Sequence, residues 1–310
     1  MGFGISFRIS NLGFRIYFLI MSIIPITNKC NQRCVFCCAE YRRNENISLE
    51  RIFKEIEKTP ELITISGGEP TLSPNLFKII DFAKKEGKKV ELQTNGVTLS
   101  YFNLAKKLFL AGVNLFNVNL PSCREKLSDR ITRTPGFYKK RIKGVKNLEK
   151  LGANIRLTHL INSLTYEDLP EFADWVSGNF TSIKYIQFSF IKIFASDRET
   201  PYPVPSYLVP RYEEVEPCLI SALEKCNKYK IDFVIDHIPP CFLGDFANYH
   251  IDFIKVKNNA KSELQHSPLE KKKIKICRKC KLNNFCFGPR KDYLKLFNNK
   301  ILLKPIANKF

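Results

Sequence analysis

Residues 62–96 read LITISGGEPTLSPNLFKIIDFAKKEGKKVELQTNG, and this stretch decides the fold. It opens with a short apolar run, LITIS (62–66), and closes with another, KVELQT (89–94). Between them Ser73 stands as a helix cap, Pro74 takes the first helical position and Gly87 acts as the stop. Caps and stops so placed mark one helix between two strands. Strands joined through a helix run parallel, because such a crossover returns the chain to the same end of the sheet.

The unit repeats in both directions. Strand-length apolar runs recur at 22–27 (SIIPIT), 115–120 (LFNVNL), 154–159 (NIRLTH) and 185–190 (YIQFSF). Segments with helical spacing at 48–58, 99–112, 137–152 and 166–178 alternate with them. Six strands alternating with helices predict an α/β chain with a parallel sheet, either an open doubly wound sheet or an incomplete barrel. In both, ligands gather at the carboxyl ends of the strands.

Beyond residue 196 the character changes. Residues 197–212 contain Pro201, Pro203, Pro205 and Pro210 and read as a linker. One further helix is expected at 213–229 and one further strand at 230–238. After Pro239 and Pro240 the chain is irregular, basic and rich in cysteine. The expected organisation is an extension (1–21), a core (22–196), the linker (197–212) and a C-terminal region (213–310). In the extension, the apolar run after Arg15 has only 11 residues. A bilayer needs about 20, and no small-residue cleavage site follows. A buried first strand at roughly residues 22–28, preceded by a poorly defined extension, is expected rather than a membrane span or signal peptide, with Met21 as an alternative start.

The chain has 310 residues, 44% hydrophobic and 26% charged, which builds a core and excludes disorder or collagen-like repeats. Lys+Arg is 50 against Asp+Glu 30, a net charge of +20. Such a surface attracts anions, nucleic acid or acidic peptides. Eleven cysteines, an odd number in two clusters, argue against a secreted disulfide scaffold. They favour a reducing, cytoplasmic setting and metal chemistry.

Cys30, Cys34 and Cys37 stand in CNQRCVFC, directly after the first strand. Three thiolates on one loop hold three corners of a cubic 4Fe–4S cluster and leave the fourth iron open to a small molecule. Zinc sites more often take four protein ligands, and a redox dithiol needs only two. Cys38 reads as packing.

These residues resemble the radical S-adenosylmethionine superfamily. CNQRCVFC matches its cluster motif, with the aromatic Phe36 before the third cysteine, and ISGGEPT (65–71) and QTNG (93–96) resemble its next two strand-end motifs. The resemblance spans roughly residues 22–195. It implies a partial (β/α)6 TIM-like barrel, a 4Fe–4S cluster on Cys30, Cys34 and Cys37, and S-adenosylmethionine on the open iron. It implies cofactor contacts at Gly67, Gly68, Glu69, Asn95, Asn119 and Phe36, with Glu69 accepting from the methionyl ammonium. The bland alternatives are a tight turn for GGEP, turn caps for the asparagines and water exclusion for Phe36. The implied chemistry is reductive cleavage of the cofactor to a 5′-deoxyadenosyl radical that abstracts hydrogen from substrate. An external one-electron reductant of ferredoxin or flavodoxin type is implied as partner. The stretch 127–152 also resembles the superfamily, and its Arg and Lys residues are expected at the surface or facing substrate.

Cys277, Cys280 and Cys286, with Cys241 upstream, supply four ligands for one closed cluster or a structural zinc. The CxxCxxxxxC spacing resembles the auxiliary-cluster extensions called SPASM and twitch domains. One auxiliary 4Fe–4S cluster is expected, with zinc as the alternative. The resemblance points to a peptide or protein substrate, although a small molecule remains open and the charge keeps RNA as a second candidate. A non-catalytic iron–sulfur carrier or zinc-binding module is the reading from another class, and it leaves GGEP and QTNG unused. Cys218 and Cys226 read as core, and Cys123 lies near the presumed mouth.

Overall fold

The computed structural model describes residues 21–37, 47–193, 204–257 and 267–306. The extension ahead of Met21, Cys38 and residues 197–203 of the expected linker lie outside them. Seven strands form one sheet in strict chain order, with every neighbouring pair parallel. They are β1 (Met21–Pro25), β2 (Leu62–Ser66), β3 (Lys89–Thr94), β4 (Leu115–Asn119), β5 (Ile155–Ile161), β6 (Tyr185–Phe190) and β7 (Phe233–Asp236). The crossovers carry α1 (Leu49–Lys58), α2 (Leu76–Lys85), α3 (Phe102–Leu110), α4 (Glu125–Thr132), α5 (Phe137–Lys150), α6 (Leu169–Asn179) and α7 (Tyr212–Lys228).

Register assigns the two faces. Ile65 pairs with Leu92, Leu92 with Phe116, and Phe116 with Ile155, so these side chains point the same way. All are fully buried against apolar residues of the helices, among them Ile56, Ile79, Leu108, Leu148 and Phe172. The opposite face, inside the curve of the sheet, carries Thr64, Glu91, Asn117 and Arg156 at alternate positions.

Two boundaries differ from expectation. The strand placed in the C-terminal region is the seventh strand of the same sheet, so the sheet runs on to Asp236. The described part of the linker is packed rather than loose. Val204, Leu208 and Val209 are buried, and the Ser163 amide donates to the Leu208 carbonyl at 2.9 Å. Its prolines set chain direction while the residues between them fill the core.

The C-terminal part adds short helices α8 (Ile251–Lys257), α9 (Ser267–Glu270) and α10 (Lys291–Leu296). It docks at the carboxyl end of β6. Asp292 accepts from the Ile193 amide at 3.1 Å, and Arg290 bonds both Asp292 and Glu270. Glu270 in turn pairs with Lys192 at 3.2 Å. Tyr293 stacks on Tyr212 with centroids 3.7 Å apart, which closes the seam against α7.

Candidate active site

The cysteine loop is positioned by main-chain groups on two sides. Beyond β1, the Gly68 amide donates to the Thr27 carbonyl at 2.8 Å and the Glu69 amide to the Lys29 carbonyl at 2.7 Å. Further on, the Arg33 amide donates to Thr132 at 3.1 Å and the Val35 amide to Ile131 at 2.9 Å, at the end of α4. Cys30 is exposed, and Cys34 and Cys37 are half-buried. The Gln32 amide donates to Cys30 Sγ at 3.4 Å, and Cys34 Sγ donates to Gln32 Oε1 at 3.6 Å. Burial pushes the Cys34 thiol up to about 12. Cys37 and Cys30 add to that rise, and Arg141 opposes it, so all three thiols lie within electrostatic reach.

Gly67 and Gly68 are expected to open a path for a ligand. The structure gives a different cause. A Cβ on Gly67 would stand 2.3 Å from the Thr27 carbonyl oxygen, and one on Gly68 2.4 Å from that of Lys29. The glycines admit the chain's own backbone, which leads into Cys30. Glu69 likewise has an internal role. It is fully buried, and its Oε1 accepts from Thr71 Oγ1 at 2.6 Å, Thr94 Oγ1 at 2.7 Å and the Thr71 amide at 3.2 Å. Oε2 accepts from the Asn95 amide at 2.7 Å, which leaves little capacity for an ammonium group. Burial raises this carboxyl above its ordinary value while the hydrogen bonds hold it down.

Asn95 joins the two motifs. Its Nδ2 donates to Asn31 Oδ1 at 2.7 Å, within the cysteine loop, and its Oδ1 accepts from the Val97 amide at 3.0 Å. Asn119 ends β4 on the inner face, half-buried, and Phe36 packs on the core edge.

Arg141 is the residue that sequence reasoning missed. It was expected at the surface or toward substrate, but it is fully buried. Nε donates to the Asn95 carbonyl and Nη1 to Ser128 Oγ, each at 2.9 Å, while Nη2 has no partner. Burial lowers its pKa to about 10, and Cys34 is the strongest group opposing that fall. Its spacing held the signal, since Arg141, Val145 and Leu148 share the buried stripe of α5.

The second cysteine set converges. Cys241, Cys277, Cys280 and Cys286 line one small pocket whose walls include Pro239, Ile276 and Leu303. The Gly288 amide donates to Cys286 Sγ at 3.2 Å. Burial pushes Cys241 up to about 12 and Cys286 to about 11. Of the basic residues around it, Lys271 is buried and paired with Asp252 at 2.6 Å. Among the described residues no three Cys, His, Asp or Glu side chains are grouped to hold a single metal ion. Cys226 is buried in the core and Cys123 is buried beyond β4. Among the described residues no helix is long and apolar enough to cross a membrane.

A parallel partial barrel with three thiols beyond its first strand is the framework of an iron–sulfur enzyme. Residues 24–176, about half the chain, match the family model described as Radical SAM superfamily, and the chain belongs to that superfamily. Its cofactors are accordingly a 4Fe–4S cluster and S-adenosylmethionine. Over 178 residues it is 33% identical to the probable GTP 3′,8-cyclase of Methanocaldococcus jannaschii, covering 54% of this chain and 59% of that one. Over 156 residues it is 30% identical to the Fe-coproporphyrin III synthase of Methanosarcina barkeri, covering 48% and 39%. The chain thus spans about half the length of the curated relatives it matches. In fold it is similar to Streptococcus suis SuiB bound to S-adenosylmethionine, with TM-score 0.63, 17% identity and coverage of 94% and 77%. It is also similar to anSMEcpe with bound AdoMet and Kp18Cys peptide, with TM-score 0.60, 13% identity and coverage of 90% and 94%.

Proposed function

We propose that this enzyme modifies a peptide or protein by hydrogen abstraction, with Cys30, Cys34 and Cys37 holding the catalytic cluster. When bound, that cluster and the sulfonium cofactor supply a carbon-centred radical. The observation that carries the cofactor reading is the cysteine loop: three thiols beyond the first strand, with no fourth protein ligand in the motif, leave one iron of a bound cluster open to a small molecule. Arg141, fully buried and bonded to the Asn95 carbonyl and Ser128, supports that loop. Asn119 and Phe36 lie at the rim as further cofactor contacts. Glu69, Gly67, Gly68 and Asn95 act by fixing the loop.

Cys241, Cys277, Cys280 and Cys286 hold one auxiliary 4Fe–4S cluster in the manner of the SPASM and twitch extensions. Four thiols lining one apolar pocket supply the full ligand set of such a cluster, with a zinc ion as the alternative occupant. The structures of SuiB with precursor peptide SuiA and of anSMEcpe with a peptide lend support to a peptide substrate. A ferredoxin- or flavodoxin-type reductant and a cytoplasmic setting complete the reading.

The test is anaerobic reconstitution, then dithionite and S-adenosylmethionine, with 5′-deoxyadenosine as the product followed. Its formation is expected. Its absence from protein with intact clusters would leave a non-catalytic carrier.

A further inference from the structure

The inner face of the sheet carries a polar surface that neither cluster uses. In filled barrels such positions hold bulky branched apolar residues. Here β2 to β6 present Ser66, Gln93, Asn117, Thr158 and Gln187, placed on one face by strand register. Gln93 is exposed although it lies within a strand of the sheet, so the space above it is open.

The charges on this face close on one another. Arg156 pairs with Glu91, and Lys89 pairs with Glu61 at 2.8 Å. Asp236 lies 3.1 Å from His237, whose imidazole burial holds well below its ordinary pKa. Among the described inward strand positions no cation is left over for an anion. The chain as a whole carries +20. That excess lies elsewhere, for instance on the exposed row Lys139, Lys143, Lys146 and Lys150 of α5.

What remains inside is a matched set of hydrogen-bonding atoms. Ser66 Oγ donates to Gln93 Oε1 at 3.0 Å, which leaves the Gln93 amide hydrogens to donate. Thr158 Oγ1 donates to Asn117 Oδ1 at 2.7 Å, which leaves its oxygen to accept. Gln187, paired in register with Thr158, offers both functions. Thr64 Oγ1 and Arg156 Nε, deeper on the same face, have no partner among the described residues.

We infer that Gln93, Thr158 and Gln187 form a substrate subsite for an uncharged amide group, as in a peptide, and that it rejects a nucleoside triphosphate. A triphosphate would bring several negative charges against strand positions whose described cations, Arg156 and Lys89, are already paired, beside Asp236. The inference rests on the function proposed above and narrows it. It separates this chain in substrate from the GTP 3′,8-cyclases it matches in sequence.

The experiment uses the reconstituted, reduced protein with S-adenosylmethionine bound. N-acetylserinamide and magnesium GTP serve as separate probes, read by the broadening of their NMR lines near the paramagnetic cluster. Broadening of the amide and none of GTP is expected. The double substitution Gln93→Leu with Gln187→Leu should weaken the amide effect about tenfold, with iron content and cofactor affinity unchanged. Gln187→Asn should keep part of it. Broadening of GTP that the double substitution removes would overturn the inference, as would an unbroadened amide in protein with cluster and cofactor in place. Protein that takes up no cluster would instead sink the function proposal and this inference with it.

Discussion

The Asn95 amide donates to Glu69 Oε2 at 2.7 Å, so the end of β3 is fastened to the end of β2 by a side chain with no solvent contact. The same carboxylate takes both Thr71 and Thr94 hydroxyls. The third contact of Asn95, to Asn31, carries the link into the cysteine loop.

Removing that carboxylate leaves several buried donors unmet. Glu69→Ala should cost about 3 kcal/mol or more of folding stability. Glu69→Gln should recover part of it, because one oxygen still accepts. Urea unfolding measures both, and an unshifted midpoint in Glu69→Ala would refute the cross-tie.

Gly67→Ala and Gly68→Ala force a Cβ to within 2.3 Å and 2.4 Å of the Thr27 and Lys29 carbonyl oxygens. The loop that starts at Cys30 has to move. Iron per chain should fall by about 4 atoms while the second site keeps its own about 4. Full iron content in either variant would show that the loop tolerates the shift.

Arg141→Met removes the buried donor to the Asn95 carbonyl and Ser128. Folding stability should fall by about 2 kcal/mol, because a buried carbonyl and a hydroxyl lose a charged partner. Urea unfolding reads this directly, and an unshifted midpoint would show that the guanidinium does not brace the loop.

Replacing Cys277 and Cys280 together by Ala should lower iron from about 8 to about 4 atoms per chain with no change in zinc. Loss of one zinc atom with iron constant would identify the pocket as a zinc site.

His159 sits fully buried against Phe172, at 4.2 Å between ring centroids, with Nδ1 3.1 Å from the Leu120 carbonyl. Burial pushes its pKa down to about 4 from the ordinary 6.5. As pH falls the unfolded chain takes the proton first. The stability from this group is therefore complete above about pH 6.5 and lost as pH approaches 4, about 3 kcal/mol in all. His250, also lowered to about 4 by burial, adds a slope of the same sign. Urea midpoints at neutral and acidic pH should diverge less in His159→Gln than in the native chain.

Much of this architecture is legible in residues 62–96, where cap, stop and strand runs fall in order. The local spacing of Cys277, Cys280 and Cys286 marks them as a set, and the structure brings Cys241 to the same pocket. What escaped depends on partners distant in the chain. The βα unit at 213–236 has ordinary helix and strand patterns, but four prolines ahead of it suggested a break, and it is the pairing of β7 with β6 that shows the sheet continues. Gly67 and Gly68 announce a close approach, but the sequence does not say what approaches. Arg141 follows the apolar stripe of α5, yet a cation in such a stripe is ordinarily assigned to the surface. The net charge kept nucleic acid as a second candidate beside a merely solvated basic surface, and it carries no information about the inner strand positions, where the described charges pair.

The pins on the cysteine loop are peptide groups at Thr27, Lys29, Arg33 and Val35. At those four positions the peptide groups survive side-chain substitution, except proline at the donors Arg33 and Val35. The exposed side chains of Lys29 and Arg33 can therefore drift over evolutionary time without moving the thiols. Descendants of one ancestor can thus diverge widely in surface chemistry around an unchanged metal seat.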